Sequence, residues 1–347
     1  MHPNEQFFMV TNNDEKFIEE EQEDIDARVL DDVDRIVIAG MNTDDFSSIN
    51  FCLYDSSTCG LETNHLIPIS SFPLSFEVIA SQEKEPLLAV GSFDPTIDLW
   101  NLRSINQFTP QASLDSQSSV LSLSHSKHLR LDFCSYLHTI CFYILASLYS
   151  LFRQLLASGD SDKAVKIWDL NESSVLQTFS HHKGNVQVVL WHPNDPSLLL
   201  SGSFDKKVAI LDVREPKPSA KVKLDSDVEC AIWGEDFIVA STEKGYITLY
   251  DFKADKKVWS IKSHKKPCSS LFLERNLLVS CGLDSKANVF KFSRESEPTL
   301  VESKNLKAGP LFSMDKSEDD KNLLSFGGEC VVIWDLETID KLNEILA

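Results

Sequence analysis

Three residues in the middle of the chain have the types and the order that could form a hydrolase active site. His182 is followed by Ser201 and Asp205. A histidine that is oriented by an aspartate can take the proton of a serine hydroxyl, which then attacks an acyl carbon. The trio is therefore a candidate for acyl-transfer chemistry, and the alternative is a structural hydrogen-bond network.

The same three residue types recur further along the chain, as His264, Ser280 and Asp284. A single active site does not need a second copy, whereas a repeated structural unit carries its internal hydrogen bonds in each copy. The repetition favours the structural interpretation. We therefore predict that neither trio is catalytic and that His182 is a satisfied residue within its repeat.

A longer segment recurs around these residues and indicates how they are positioned. It consists of an apolar run, a pair of small residues, a turn with Asp or Gly, an alternating strand and an aromatic-acidic ending. The copies span residues 87–102, 155–170, 198–213, 237–252, 277–292 and 323–336, with a weaker first copy at 33–57. Each copy predicts two short strands joined by a tight turn.

The spacing of the copies predicts the fold. Their closing residues are Tyr54, Trp100, Trp168, Leu211, Tyr250, Phe290 and Trp334. Except for 68 residues between Trp100 and Trp168, the spacings lie between 39 and 46 residues. A four-stranded propeller blade has a period of roughly 40–45 residues. Because a lone hairpin cannot bury its apolar face, we predict that seven units close into an all-β, seven-bladed β-propeller.

The recurring polar residues resemble the His–Ser/Thr–Asp–Trp network of WD repeats, whose members bond to one another inside a blade. One copy has a serine at the histidine position but keeps the closing tryptophan, and the two copies with histidine end in Leu211 and Phe290 instead. We therefore expect partial networks. Their members are His182, Ser201, Asp205, His264, Ser280, Asp284, Ser158, Asp162 and Trp168.

The composition argues against several classes of function. No two of the eight cysteines have the C-x-x-C spacing of a zinc ribbon or a redox pair. Neither a phosphate-cradling glycine-rich loop nor a paired-carboxylate signature is present. We predict a protein without catalytic site, cofactor or metal, with reduced cysteines in the cytosol or nucleus. The N-terminus resembles no signal peptide.

The formal net charge of −20 argues against wholesale binding to nucleic acid or anionic lipid, but the charge is unevenly distributed. From Asp14 to Asp34 there are eleven acidic residues against Lys16 and Arg28. We predict that residues 1–28 are a disordered acidic leader and that residues 29–347 form the propeller. The leader serves either solubility or the electrostatic attachment of a basic partner.

One segment of this acidic chain is basic. Its lysines are Lys253, Lys256, Lys257, Lys262, Lys265 and Lys266, against only Asp255. Such a patch can contact rRNA phosphate or an acidic partner. The alternative is a solvated blade edge, where lysines also deter pairing with other strands. The segment is therefore a candidate partner-binding surface.

The spacing of 68 residues arises from an apolar insertion at 131–153, within the third blade. Residues 133–152 contain no charged side chain and are long enough to span a membrane. However, the run lies between predicted strands at 119–124 and 154–159, which should be neighbours in one blade. A span would place them on opposite sides of a bilayer, so we predict no membrane contact. The run is either an inserted hairpin loop or translated intron sequence.

Several phrases occur in an order that goes beyond a generic WD repeat. They lie at residues 30–34, 43–45, 69–74, 89–100, 191–194, 240–245 and 332–335. In this order they resemble the periodic tryptophan protein 1 family of eukaryotic WD-repeat proteins, over roughly residues 14–336. Members of that family usually have a longer region before the acidic stretch, and this chain departs from them there.

The resemblance implies a non-enzymatic scaffold in the nucleus, and largely in the nucleolus, that acts in ribosome biogenesis. Within that process it implies rRNA processing and assembly of the large subunit. An alternative is a chromatin- or histone-associated regulator of rRNA transcription. The implied partners are pre-ribosomal factors, basic ribosomal proteins or histones, together with contact to rRNA.

Overall fold

The computed structural model describes residues 6–11, 34–42, 46–55, 60–79, 85–104, 109–126, 154–317 and 322–339. Over these ranges the regular structure is almost entirely β-strand, arranged in seven antiparallel sheets. We call each sheet a blade and number the blades in chain order. In every blade the strands are spatially ordered as they follow one another in the sequence.

The strands of the first four blades have the following bounds. Blade 1 contains β1 (Gln6–Thr11), β2 (Asp34–Asn42), β3 (Ser47–Asp55) and β4 (Gly60–Ile69). Blade 2 contains β5 (Pro73–Ile79), β6 (Leu87–Ser92), β7 (Thr96–Asn101) and β8 (Ala112–Asp115). Blade 3 contains β9 (Val120–His125), β10 (Leu155–Asp160), β11 (Val165–Asp169) and β12 (Ser174–Phe179). Blade 4 contains β13 (Val186–Trp191), β14 (Leu198–Ser203), β15 (Lys207–Asp212) and β16 (Ala220–Lys223).

The remaining three blades continue the pattern. Blade 5 contains β17 (Val228–Trp233), β18 (Phe237–Thr242), β19 (Tyr246–Asp251) and β20 (Lys256–Lys262). Blade 6 contains β21 (Cys268–Glu274), β22 (Leu277–Gly282), β23 (Lys286–Lys291) and β24 (Thr299–Asn305). Blade 7 contains β25 (Ser313–Lys316), β26 (Leu323–Gly327) and β27 (Val331–Asp335), followed by a 3₁₀ turn (Leu336–Thr338).

The first strands of the seven blades form a closed inner ring. β1 contacts β5, β5 contacts β9, and the succession continues through β13, β17 and β21 to β25. β25 in turn contacts β1, which closes the circle. A ring of this kind leaves no large unpaired sheet edge at its centre. The prediction of an all-β, seven-bladed propeller is therefore confirmed.

The hydrophobic core lies between neighbouring blades, because successive strand residues point to opposite faces and both faces are covered. In blade 4, Leu199 and Leu211 pack with residues of blade 3. Leu200 and Ile210, one residue away, pack with residues of blade 5. Burial on both faces explains why the second strands are continuous apolar runs rather than strictly alternating ones.

The turn between the second and third strands has the same backbone feature in four blades. Its left-handed position is occupied by Lys163, Lys206, Gly245 and Ser285, with φ of 74°, 68°, 75° and 65°. At Gly245 a Cβ would lie 2.3 Å from a backbone carbonyl oxygen of the neighbouring loop, so this copy requires glycine. In blades 3, 4 and 6 the predicted aspartate stands one residue before this position, where it can bond to the turn backbone.

The start of the chain differs from the predicted domain boundary. Residues 6–11, which the sequence assigned to the leader, are strand β1 and pair along their whole length with β2, from Gln6 opposite Met41 to Thr11 opposite Ile36. These six residues therefore belong to blade 1. The acidic residues 14–33 lie outside the described residues, and their assignment as a leader stays a prediction.

The strands on either side of the apolar run are neighbours in blade 3, as predicted. Leu156 of β10 pairs with His125 of β9, and the backbone N–H of Ser126 donates to the carbonyl of Leu155 at 2.9 Å. The run at 131–153 itself lies outside the described residues. Among the residues that are described, no helix has the length and apolar character needed to cross a membrane.

Candidate functional site

The trio of blade 4 is joined by hydrogen bonds in the order of a catalytic triad. The Nε2 atom of His182 lies 2.9 Å from the hydroxyl of Ser201, and its Nδ1 atom lies 3.2 Å from both carboxylate oxygens of Asp205. The backbone N–H groups of Lys183 and Lys207 also donate to Asp205, at 2.9 and 3.1 Å. The network thus ties the loop before β13 to the turn between β14 and β15.

Blade 6 has the same arrangement. The Nε2 atom of His264 lies 2.8 Å from the hydroxyl of Ser280, and its Nδ1 atom lies 2.9 Å from Asp284. The backbone N–H of Lys265 donates to the other carboxylate oxygen at 2.9 Å. The structure therefore brings each predicted trio together, at equivalent places in two blades.

Accessibility distinguishes these networks from an active site. The side chains of Ser201 and Ser280 are 0% exposed, and His182 and His264 are buried as well. A serine nucleophile has to contact the acyl carbon of its substrate. A serine that is fully buried within its blade cannot do so. The geometry supplies the hydrogen bonds of a triad without a surface on which a substrate could bind.

The protonation states fit a structural role. Burial lowers the pKa of His182 and of His264, although the adjacent aspartates oppose this effect. Burial alone would raise the pKa of Asp205, but the Lys183 N–H and the imidazole hold it below its usual value. Near neutral pH a neutral imidazole therefore donates from Nδ1 to a carboxylate and accepts from serine at Nε2.

His181 is a further member of the blade 4 network, which the sequence did not identify. Its Nε2 atom lies 3.1 Å from the Ser201 hydroxyl, and its ring centroid is 4.2 Å from that of His182. Burial, followed by the neighbouring imidazole and Lys221, lowers the pKa of His181 to about 3. The paired histidines in the sequence were the only signal, and they did not show which of the two contacts Ser201.

The low pKa of His181 predicts that acid destabilises the fold. In the unfolded chain its pKa returns to roughly 6.5, so below that pH only the unfolded state takes up the proton. The stability is complete above pH 6.5 and decreases as the pH falls. Because the His181 side chain is partly exposed and solvent screens its interactions, this histidine alone should cost about 1 kcal/mol between pH 6.5 and 5. Urea unfolding at pH 7 and pH 5 measures the loss.

A His181→Asn variant provides the control for that prediction. It loses the contact with Ser201 at both pH values, but it has no imidazole that could be protonated on unfolding. Its stability should therefore change less between pH 7 and pH 5 than that of the unmodified chain. An identical acid-induced loss in both proteins would show that other groups cause it.

Blade 3 combines a predicted contact with an unpredicted one. The indole Nε1–H of Trp168 donates to the hydroxyl of Ser158 at 3.0 Å, and Asp162 accepts from the backbone N–H of Ala164 at 3.0 Å. The three predicted residues are not joined to a histidine. Instead, the amine of Lys166 enters the network from strand β11.

Lys166 forms an ion pair inside the blade. Its Nζ atom lies 2.5 Å from Asp160, 3.1 Å from Asp162 and 3.2 Å from the hydroxyl of Ser116. The Asp160 side chain is 0% exposed and the Lys166 side chain 9%. Burial raises the pKa of Asp160. Burial opposes the charge on Lys166, but its bonds to the two carboxylates outweigh this and raise its pKa.

The sequence contains a signal for this pair. Lys166 stands within an otherwise apolar strand, where the equivalent residue of blade 4 is Ala209. Asp160 similarly takes the place of Ser203. Two opposite charges introduced together at buried positions of one repeat indicate an internal ion pair.

The six lysines of the segment 253–266 are not brought together on one surface. β20 separates Lys253, Lys256 and Lys257 at one end from the other three at its far end. A strand of seven residues is about 20 Å long. Lys253 is paired with Asp236 at 2.5 Å, and Lys262 lies over the ring of Tyr246, 5.1 Å from its centroid. The segment therefore contributes to two opposite ends of blade 5.

Comparisons with known proteins agree with this architecture. The family model described as WD domain, G-beta repeat matches residues 173–212, which include the blade 4 trio. A periodic tryptophan protein 1 homolog from Drosophila melanogaster is 26% identical over 90% of this chain. Periodic tryptophan protein 1 from Saccharomyces cerevisiae is 25% identical over 88% of it. Over most of its length, the chain is similar to members of the periodic tryptophan protein 1 family.

The chain covers 69% of the Drosophila member of the periodic tryptophan protein 1 family and 63% of the yeast member. Outside this family, a ribosome biogenesis protein WDR12 homolog from Oryza sativa subsp. japonica is 39% identical over 23% of this chain and 19% of its own length. A chain in a crystal structure of the mitotic checkpoint complex is 17% identical, with a TM-score of 0.66 over 87% of this chain and 84% of that one. The last similarity shows the fold alone.

Proposed function

We propose that this chain is a non-enzymatic binding scaffold that acts in ribosome biogenesis, in the nucleolus. The observation that carries the proposal is the similarity of almost the whole chain to periodic tryptophan protein 1 from two organisms, together with a partial match to a protein named for ribosome biogenesis. Within that process we infer a role in rRNA processing and assembly of the large ribosomal subunit.

The construction of the ring supports a scaffold rather than an enzyme. Propeller blades form a rigid frame, and the loops at its two faces are free to bind partners. In the described blades, only the two His–Ser–Asp trios have the order of a catalytic triad. Their side chains hydrogen-bond to one another, and their serines are inaccessible. The chemistry of this protein is therefore that of recognition.

The charge of the chain favours basic protein partners. The chain has a net charge of −20, and eleven of its acidic residues fall between Asp14 and Asp34. This negative charge attracts basic ribosomal proteins at long range. Pre-ribosomal factors are the other class of partner we propose. The same acidic segment favours a second candidate function, in which the chain binds histone tails and regulates rRNA transcription on chromatin.

Affinity purification of the tagged full chain from nuclear extract, with and without RNase, tests both functions. We expect large-subunit ribosomal proteins and assembly factors to be enriched, and part of them to be released by RNase. Retention of nucleosomes that survives RNase, without ribosomal proteins, would instead support the chromatin function. Enrichment of neither class would contradict the proposal.

A Ser201→Ala, Ser280→Ala double variant separates a scaffold from an enzyme in the same experiment. Removal of both hydroxyls eliminates any serine nucleophile in the two trios, but it leaves the loops and their surfaces in place. Each substitution should cost about 1 kcal/mol in stability from the lost hydrogen bonds. The folded variant should recover the same partners, whereas a hydrolase would lose its activity.

A further inference from the structure

Blade 4 has a cluster of five lysines, four exposed and one half-buried, that the repeat pattern does not require. Three lie on its outer strands β15 and β16, namely Lys207, Lys221 and Lys223, and two lie in the adjoining loop and turn, Lys183 and Lys206. None of them forms an ion pair with a described residue of the chain. We call these five residues the lysine stripe.

The sheet register places the strand lysines on one face of the blade. Lys207 pairs directly with Lys223, and Lys221 is two residues from Lys223 along β16. Directly paired residues and residues two apart share a face of a sheet. This face also carries Leu211, which packs with blade 3. The lysines therefore stand beside the seam between blades 3 and 4, at its outer edge.

Backbone hydrogen bonds join the remaining two lysines to this face. The carbonyl of Lys206 accepts from the N–H of Leu224, directly after Lys223, at 2.8 Å. The N–H of Lys183 donates to Asp205, the residue before Lys206, at 2.9 Å. The backbones of Lys183 and Lys206 thus lie next to the strands that carry the other three lysines, and the charges of Lys207 and Lys221 are close enough to act on His182.

Asp205 and Asp225 lie near the stripe, and neither forms an ion pair with it in the described structure. Asp205 already accepts hydrogen bonds from His182 and from two backbone N–H groups. Asp225 follows the stripe in the next loop. Like charges placed directly opposite each other on a sheet destabilise it. An external anion would remove that repulsion.

We propose that the lysine stripe binds the phosphate backbone of RNA. A polyanion is the ligand that several adjacent ammonium groups fit, and phosphate contacts of this kind position a nucleic acid without reading its sequence. The stripe contains no aromatic side chain on which bases could stack, so the contact is with the backbone. The choice of RNA over an acidic protein rests on the proposed function in ribosome biogenesis.

Fluorescence anisotropy with the purified full chain and a fluorescein-labelled oligouridylate tests the proposal over a series of salt concentrations. A K207A/K221A/K223A variant should bind at least about ten-fold more weakly. The slope of log affinity against log salt should fall by about 2, since each single-strand phosphate contact contributes roughly 0.7. A K207R/K221R/K223R variant keeps the charges and should bind as the unmodified chain does.

The matched control is K286A/K291A/K304A, which removes the same charge from exposed strand positions of blade 6. It should leave affinity and salt slope unchanged within about two-fold, and circular dichroism should show all variants folded. Absence of RNA binding by the unmodified chain, or equal loss in the control, would overturn the proposal. Tighter, stripe-dependent binding of polyglutamate would assign the surface to an acidic protein.

The RNA-binding experiment and the affinity purification can fail separately. Failure of RNA binding in purified protein leaves the recovery of pre-ribosomal proteins from nuclear extract unaffected. Failure of that recovery, with RNA binding intact, would leave a propeller that binds RNA outside ribosome assembly.

Discussion

Replacement of Lys166 by alanine should destabilise the propeller by about 3–5 kcal/mol, because it leaves the carboxylate of Asp160 buried without its counter-charge. One oxygen of Asp160 already has no hydrogen-bond partner among the described residues, and the other is held by Lys166 and Ser116. Loss of the ammonium group removes the strongest of these contacts. Chemical denaturation at neutral pH measures the effect.

The matched variant for this prediction replaces both partners with the residues of blade 4. D160S/K166A introduces the equivalents of Ser203 and Ala209, which the same fold accommodates one blade away. Since no charge remains to be compensated, the double variant should be clearly more stable than K166A. If the two variants were equally destabilised, the cost would come from lost packing rather than from the unpaired carboxylate.

Removal of residues 1–11 should lower the free energy of unfolding by an amount comparable to its whole value. It deletes β1, the inner strand of blade 1, and interrupts the ring between β25 and β5. The inner edge of β2 then has no partner. At roughly 1 kcal/mol for each backbone hydrogen bond, the lost ladder alone costs several kcal/mol, against a total of about 5–15 kcal/mol.

We therefore expect the truncated chain to lose its cooperative thermal transition. Removal of residues 1–5 alone, which leaves β1 in place, is the control and should leave the transition unchanged. A synthetic peptide of residues 1–11 added to the truncated chain should restore the transition in proportion to its concentration. An unaltered transition after removal of β1 would mean that this strand does not close the ring.

The blades themselves could be predicted from local sequence. An apolar run, a tight turn and an alternating strand specify a hairpin without reference to distant residues, and their repetition specified seven blades. The His182 and His264 trios were visible for the same reason, since each lies within one repeat. Trp168 and Ser158 were likewise predicted to share a network, because they stand on adjacent strands of one hairpin.

Three other features were not predicted from the repeat pattern and emerged only from the tertiary structure. The strand that closes the ring, β1, pairs with β2 across an intervening acidic stretch, and no local pattern encodes that pairing. The ion pair of Lys166 depends on burial, which the strand periodicity does not predict for a charged residue. The six lysines at 253–266 are adjacent in sequence but are separated by the length of β20.

Which features could be predicted depends on how far apart in the chain the interacting residues lie. Hairpin geometry and the hydrogen bonds of one repeat depend on residues close together in the chain, so the sequence alone determined the blades and two of their polar networks. Ring closure depends on contacts between distant residues, and so does the burial of Lys166, whose amine also reaches Ser116 of the preceding loop. The observed strand register and bounds show that Lys207, Lys221 and Lys223 share a face, while the lysines of 253–266 lie at opposite ends of their blade. Burial by the neighbouring blades decided which charged side chains stay accessible.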